Sequence, residues 1–140
     1  MIIALVAVAS TAQAEWQQVG AAGFSAGEAN YLSFAMDSSG TPYVAYSDGG
    51  NGGKASVMKF NGTRWEIVGT AGFSVKIPYD LSLAVDKNGI PYVAYSECVD
   101  DPTLCLNSEA SVMQLKGTSW EKVGGMLDLE VAVPLPVKCW

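Results

Sequence analysis

The chain has 140 residues, 14 acidic against 8 basic side chains for a net charge of −6, and no histidine. That length allows one ordinary domain or a piece of a larger one, and 49% hydrophobic against 16% charged residues excludes intrinsic disorder. The acidic balance argues against nucleic acid or an anionic membrane surface as partner, while the missing histidine removes His-based triads, His-ligated metals and His pH switches.

The first fourteen residues, MIIALVAVASTAQA, form an uncharged apolar run ending in Ala12-Gln13-Ala14. The run is too short to span a bilayer, which needs about 20 residues. It fits the apolar core and A-x-A site of a secretory signal, although no Lys or Arg precedes it. The expectation is export to the periplasm or outside the cell, with a mature chain starting at Glu15 and no membrane span after cleavage. A buried N-terminal strand is the alternative.

From residue 16 onward the chain repeats itself. Trp16-x-x-Val19-Gly20 returns as Trp65-x-x-Val68-Gly69 and as Trp120-x-x-Val123-Gly124, at spacings of 49 and 55 residues. At the first spacing Gly23-Phe24-Ser25 matches Gly72-Phe73-Ser74, Asp37-x-x-Gly40 matches Asp86-x-x-Gly89, and PYVAYS at 42–47 returns at 91–96. Ala55-Ser56-Val57-Met58 then matches Ala110-Ser111-Val112-Met113 after a six-residue insertion.

Each unit holds four short strand-like runs. The first covers residues 32–36 or 81–85 and ends in a D-x-x-G turn, where Asp caps the backbone and Gly takes positive φ. The second covers 43–47 or 92–96, behind a proline. The third covers 55–60 or 110–115 and leads into an N-G-T or K-G-T hairpin turn. The fourth runs from the Trp to Val-Gly, at 65–69 and 120–124, and residues 16–20 read as one more copy of it. No helical period appears after residue 14. Runs such as Tyr43-Val44-Ala45-Tyr46 are apolar on both faces, which suits a sheet covered on both sides.

Four antiparallel strands in a repeat of about 50 residues resemble the blades of secreted bacterial β-propellers over residues 16–124. The subtype is unassigned: the G-H…W-D and paired-glycine signatures are missing, and Gly40 and Gly89 stand three residues after the Asp, unlike the sialidase Asp-box. The resemblance implies an all-β fold with residues 15–64 as a first blade plus a leading closing strand, 65–124 as a second blade, and 125–140 as a divergent tail. Two blades form an incomplete ring, since propellers have about four to eight. Further blades in cis, with this chain as an N-terminal portion, or a homo-oligomer would complete it; three copies would give six blades. Some fucose-binding lectins are similar in being short two-blade chains, though their motifs are absent here. A small sandwich or open meander of duplicated hairpins is the competing fold.

In such a meander the D-x-x-G and x-G-T turns share one end of the sheet and keep their form in both units. The opposite end varies: residues 26–31 differ from 75–80 at all six positions, and the loop between second and third runs grows from residues 48–54 to 97–109. Binding residues sit on variable loops held by a rigid scaffold. The candidates are therefore Glu28, Asn30, Tyr31, Lys76, Tyr79 and Asp80, with Asp100 and Asp101 in the long loop. Solvated loop residues would look the same. Cys98 and Cys105 bracket that loop, and export favours a disulfide between them over a metal site with Asp100 and Asp101. Cys139 is left over in the tail. No catalytic residue, metal or cofactor is assigned. Asp37 and Asp86 read as turn caps, Asn61-Gly62-Thr63 as a turn as well as a glycosylation pattern, and Tyr43, Tyr46, Tyr92, Tyr95, Trp65 and Trp120 as packing residues in preference to sugar-stacking ones. The expected function is a non-enzymatic module recognising an extracellular protein or glycan. The alternatives are a trimerising two-blade lectin and the non-catalytic fragment of a polysaccharide-acting propeller enzyme.

Overall fold

A computed structural model describes residues 15–98, 105 and 107–124. The fold is all-β, with two four-stranded antiparallel sheets of identical order, open and not closed into a ring. The first unit contains β1 (Ala29–Met36), β2 (Pro42–Asp48), β3 (Lys54–Phe60) and β4 (Trp65–Ile67); the second contains β5 (Pro78–Val85), β6 (Pro91–Cys98), β7 (Ser108–Lys116) and β8 (Ser119–Lys122). Each meander is built from β-branched, aromatic and small residues joined by tight turns. In one, the Asp37 carboxylate accepts from the backbone N–H groups of Ser39 and Thr41, both at 2.9 Å, and Asp86 repeats the arrangement with Asn88 and Ile90 at 2.8 Å. These side chains replace backbone partners that a tight reversal leaves unmatched. Hydrogen bonding holds both carboxyls below the usual carboxylate range, at Asp37 chiefly from the Ser39 hydroxyl at 2.7 Å and then the Thr41 N–H, and at Asp86 chiefly from the Ile90 N–H.

The sheets stack face to face. One face of the first unit, with Tyr43, Ala45, Ala55 and Val57, is buried against Leu81, Leu83, Val93 and Tyr95 of the second. The first strands lie side by side, and the Leu83 N–H donates to the Ser33 hydroxyl at 2.9 Å across the junction. Val68 ties the units a second time: its N–H bonds the Val57 carbonyl of its own unit at 2.9 Å, and its carbonyl accepts from the Trp120 indole of the next at 3.0 Å. Trp65 makes the same bond to the Val19 carbonyl at 3.0 Å. A phenylalanine stacks on each indole, Phe24 on Trp65 at 4.5 Å and Phe73 on Trp120 at 4.3 Å. Any side chain at Gly69 would come within 2.7 Å of Leu115 and 2.9 Å of the Trp120 indole, so the repeated Val-Gly is the form this clasp requires.

Two strand expectations are corrected. Residues 16–20 are not a strand, and Trp16 is fully exposed. An extended segment becomes a strand only through ladder pairing, and this segment meets the sheet instead through the Val19 carbonyl, which accepts from Trp65, and through Gly20, which packs on Phe60 and Trp65. The fourth strands are also shorter than 65–69 and 120–124, because Val68 and Val123 leave the ladder after one bond each, to Val57 and Val112. In the other direction, β1 and β5 start three residues earlier than the apolar pattern indicates, ahead of a bulge.

Candidate binding surface

The register places the N-terminal ends of β1 and β5 at the loop end of the sheets: Ala29 pairs with Asp48, and Pro78 with Glu97. Between Asn30 and Ser33 the ladder with β2 slips, and it slips again between Tyr79 and Ser82. Within each bulge one residue takes a left-handed backbone, Tyr31 at φ 52° and Asp80 at φ 51°. These occupy the same repeat position, and neither is glycine or asparagine. Left-handed backbone costs about 1–2 kcal/mol at a residue such as Tyr31 and less at an aspartate, whose short polar side chain tolerates it, and at the tyrosine it persists only where the surroundings impose it. Bulges re-aim side chains, and they gather at strand edges and functional sites.

Four of the sequence-derived candidates, Asn30, Tyr31, Tyr79 and Asp80, therefore lie on two adjacent bulged strands. The Tyr31 and Tyr79 rings meet edge to face with centroids 5.5 Å apart. Tyr31, Asn30 and Asp80 are exposed and Tyr79 is half-buried. Lys76 and Tyr79 line a mostly apolar cavity of about 270 Å³ together with Ile77 and Cys98. Glu28 is exposed directly ahead of β1, and its carbonyl accepts from Gly49 at 2.7 Å, which fixes the entry to that strand. Asp100 and Asp101 lie outside the described residues, as does Cys139.

The two units hold this end differently. In the first, the buried Asp48 carboxylate closes its own loop, accepting from the Gly50 N–H at 3.0 Å, the Asn51 amide at 2.7 Å and the Ser56 hydroxyl at 3.0 Å. In the second, Glu97 reaches the Lys76 backbone N–H at 3.1 Å, so the longer side chain braces the segment leading into β5. Cys98 and Cys105 form a disulfide with Cα atoms 5.3 Å apart, pinning the base of the long loop. That bond removes both thiolates from the metal alternative, and among the described residues no cluster of His, Cys, Asp or Glu could hold a metal ion.

At the opposite end a wider depression of about 490 Å³ is lined by Asp37, Tyr43, Lys59, Asn61 and Glu66 among others. Sequence reasoning assigned only scaffold turns there. Asp37, Asn61 and Glu66 at its rim are engaged locally: the Asn61 carbonyl oxygen accepts from the Thr63 and Arg64 N–H groups at 2.9 Å, and its amide donates to Glu66 at 2.7 Å. The remaining aromatics serve packing, with Tyr46 and Tyr95 buried and Trp65 and Trp120 stacked. Burial, reinforced by the negative charge of Asp48, pushes the Tyr46 hydroxyl up to about 12; burial with Glu97 does the same at Tyr95. Among the described residues no helix is long and apolar enough to cross a membrane. No protein-family model, curated protein or solved structure matches this chain.

Proposed function

We propose that the chain is an exported β-propeller-type module that recognises an extracellular protein or glycan through the loop end of its first strands. The observation carrying this reading is the recurrence of a left-handed bulge at Tyr31 and Asp80, beside which the Tyr31 and Tyr79 rings meet, with Asn30 and Asp80 their neighbours in the two strands. Two aromatic faces flanked by a carboxylate and an amide suit a sugar ring or a polar peptide: the faces stack and the polar groups fix orientation. The chemistry is that of holding a ligand. The repeat of about 50 residues, the face-to-face stacking and the Val–Trp clasp support the propeller reading, and the disulfide supports an oxidising compartment.

The test is binding of residues 15–140 to a glycan array and to a panel of extracellular matrix proteins. Tyr31→Ala and Tyr79→Ala are expected to weaken a positive signal about tenfold or more, on the scale of a lost stacking contact. Asp37→Asn, at the far end, is expected to leave it unchanged. Binding that follows Asp37 and ignores both tyrosines sinks the proposal. N-terminal sequencing of the exported chain checks the Glu15 start.

A further inference from the structure

The junction between the two units is a template for a second junction that the chain presents in two separate halves. On the second unit Leu81 and Leu83 are buried, at 8% and 7% exposure, because the first unit covers them. Their repeat equivalents on the first unit, Leu32 and Phe34, are 62% and 58% exposed, and Met36 is exposed beside them. The opposite halves behave in the same way. Val57 and Val68 are buried under the second unit, at 0% and 7%, while Val112 and Val123 stand 38% and 40% exposed. The leading face of the first unit and the trailing face of the second are therefore complementary by construction.

We propose that copies of this chain associate head to tail, the leading face of one (Leu32, Phe34, Met36) packing on the trailing face of another (Tyr92, Ala94, Val112, Val123). The polar links of the existing junction transfer with the faces. Leu83 donates to Ser33 within the chain, so Phe34 donates to Ser82 of a second copy. The Val68 carbonyl holds Trp120, so the Val123 carbonyl of a second copy is placed to hold Trp65. Trp65 is bound in the single chain by Val19, whose Trp16-x-x-Val19-Gly20 segment repeats the Trp120-x-x-Val123-Gly124 run that contains the end of β8. One of the two must yield. Residues 16–20 make no ladder pairing, so their displacement exchanges the Val19 carbonyl and the Gly20 packing on Phe60 and Trp65 for the Val123 carbonyl and Gly124 of the second copy, and leaves β8 intact.

This contact is heterologous, so it closes a ring or propagates according to its rotation. If the propeller reading of the units holds, three chains close a ring of six blades. The pairing of faces stands on burial and does not need the loop-end ligand, so its failure and the failure of the binding proposal are separable.

The experiment uses residues 15–140 and light scattering on a sizing column, with Phe34→Asp and Val112→Asp as the two face-blocking variants. Wild-type chain is expected as a finite particle of three chains. Each variant alone is expected as a monomer, and the equimolar mixture as a one-to-one dimer joined through the two unblocked faces. A wild-type monomer across the accessible concentration range overturns the proposal. So does a Val112→Asp variant that dimerises alone, since leading face would then meet leading face. Both positions are exposed, and circular dichroism checks each fold. Leu32→Lys and Val123→Lys provide a second pair with the same expectations if either aspartate variant unfolds.

Discussion

β1 and β5 carry the same pattern, Leu-Ser-Phe-Ala-Met at 32–36 against Leu-Ser-Leu-Ala-Val at 81–85, hold the same place in their sheets and break at the same bulge. One nevertheless shows its apolar side chains to solvent, and the other buries them. Sequence pattern states which face of a strand needs a neighbour; burial reports whether a neighbour is there. The pair isolates that distinction, because local propensity, turn chemistry and register are matched.

Truncating the two equivalent leucine-class positions breaks the comparison most directly. Leu83→Ala removes a side chain packed between the sheets and is expected to lower stability by about 2–4 kcal/mol in urea unfolding. Phe34→Ala, in dilute chain, is expected to stay within about 0.5 kcal/mol, as exposed positions do. Equal losses at both sites would mean that the first face is covered within the single chain.

The two indole clasps sharpen it further. Trp120→Phe leaves the Val68 carbonyl without its partner at a half-buried site and is expected to cost about 1–2 kcal/mol. Trp65→Phe, whose bond to Val19 is solvent-exposed, is expected to cost less in the same assay. The reverse ranking would show that residues 19–24 are held more firmly than the segment joining the units.

The last comparison is a pH effect. Tyr46 and Tyr95 keep their protons to about pH 12 when folded, against 10.0 for an ordinary phenol. Between these values the folded state binds more protons than the unfolded one, so stability falls as pH rises. The contribution is fully present below pH 10 and is lost as pH climbs through 12. Melting temperature followed from pH 9 to 12 is expected to drop over that window, and Tyr46→Phe or Tyr95→Phe to flatten the drop by a similar amount, one phenol from each unit.

Much of this architecture is legible in the repeat. Apolar alternation and the D-x-x-G and N-G-T turns locate the strand centres, and the spacing of Cys98 and Cys105 around an insertion locates the disulfide. The repeat misleads at residues 16–20, because matching a strand elsewhere says what a segment can pair with and not what lies beside it. It is also silent on the clasps: Val19 and Trp65 stand 46 residues apart, and Val68 and Trp120 stand 52, so no local pattern joins them. At the loop end, dissimilarity between the units was the useful signal. It marked residues 26–31 and 75–80 as a variable surface, but a left-handed tyrosine or aspartate has no sequence cue of the kind that glycine provides.

The bulge at Tyr31 and Asp80 has a consequence for how this surface can change. An aromatic and an acid, unrelated in size and charge, adopt φ values within a degree of each other, so the neighbouring strands and not the side chain enforce the shape. The position works as a socket. Its geometry is set by the scaffold and its content is free, so each unit can present a different chemical group at the same point in space. Selection, or an engineer, can therefore rewrite the chemistry of the loop end one unit at a time without renegotiating the fold that displays it.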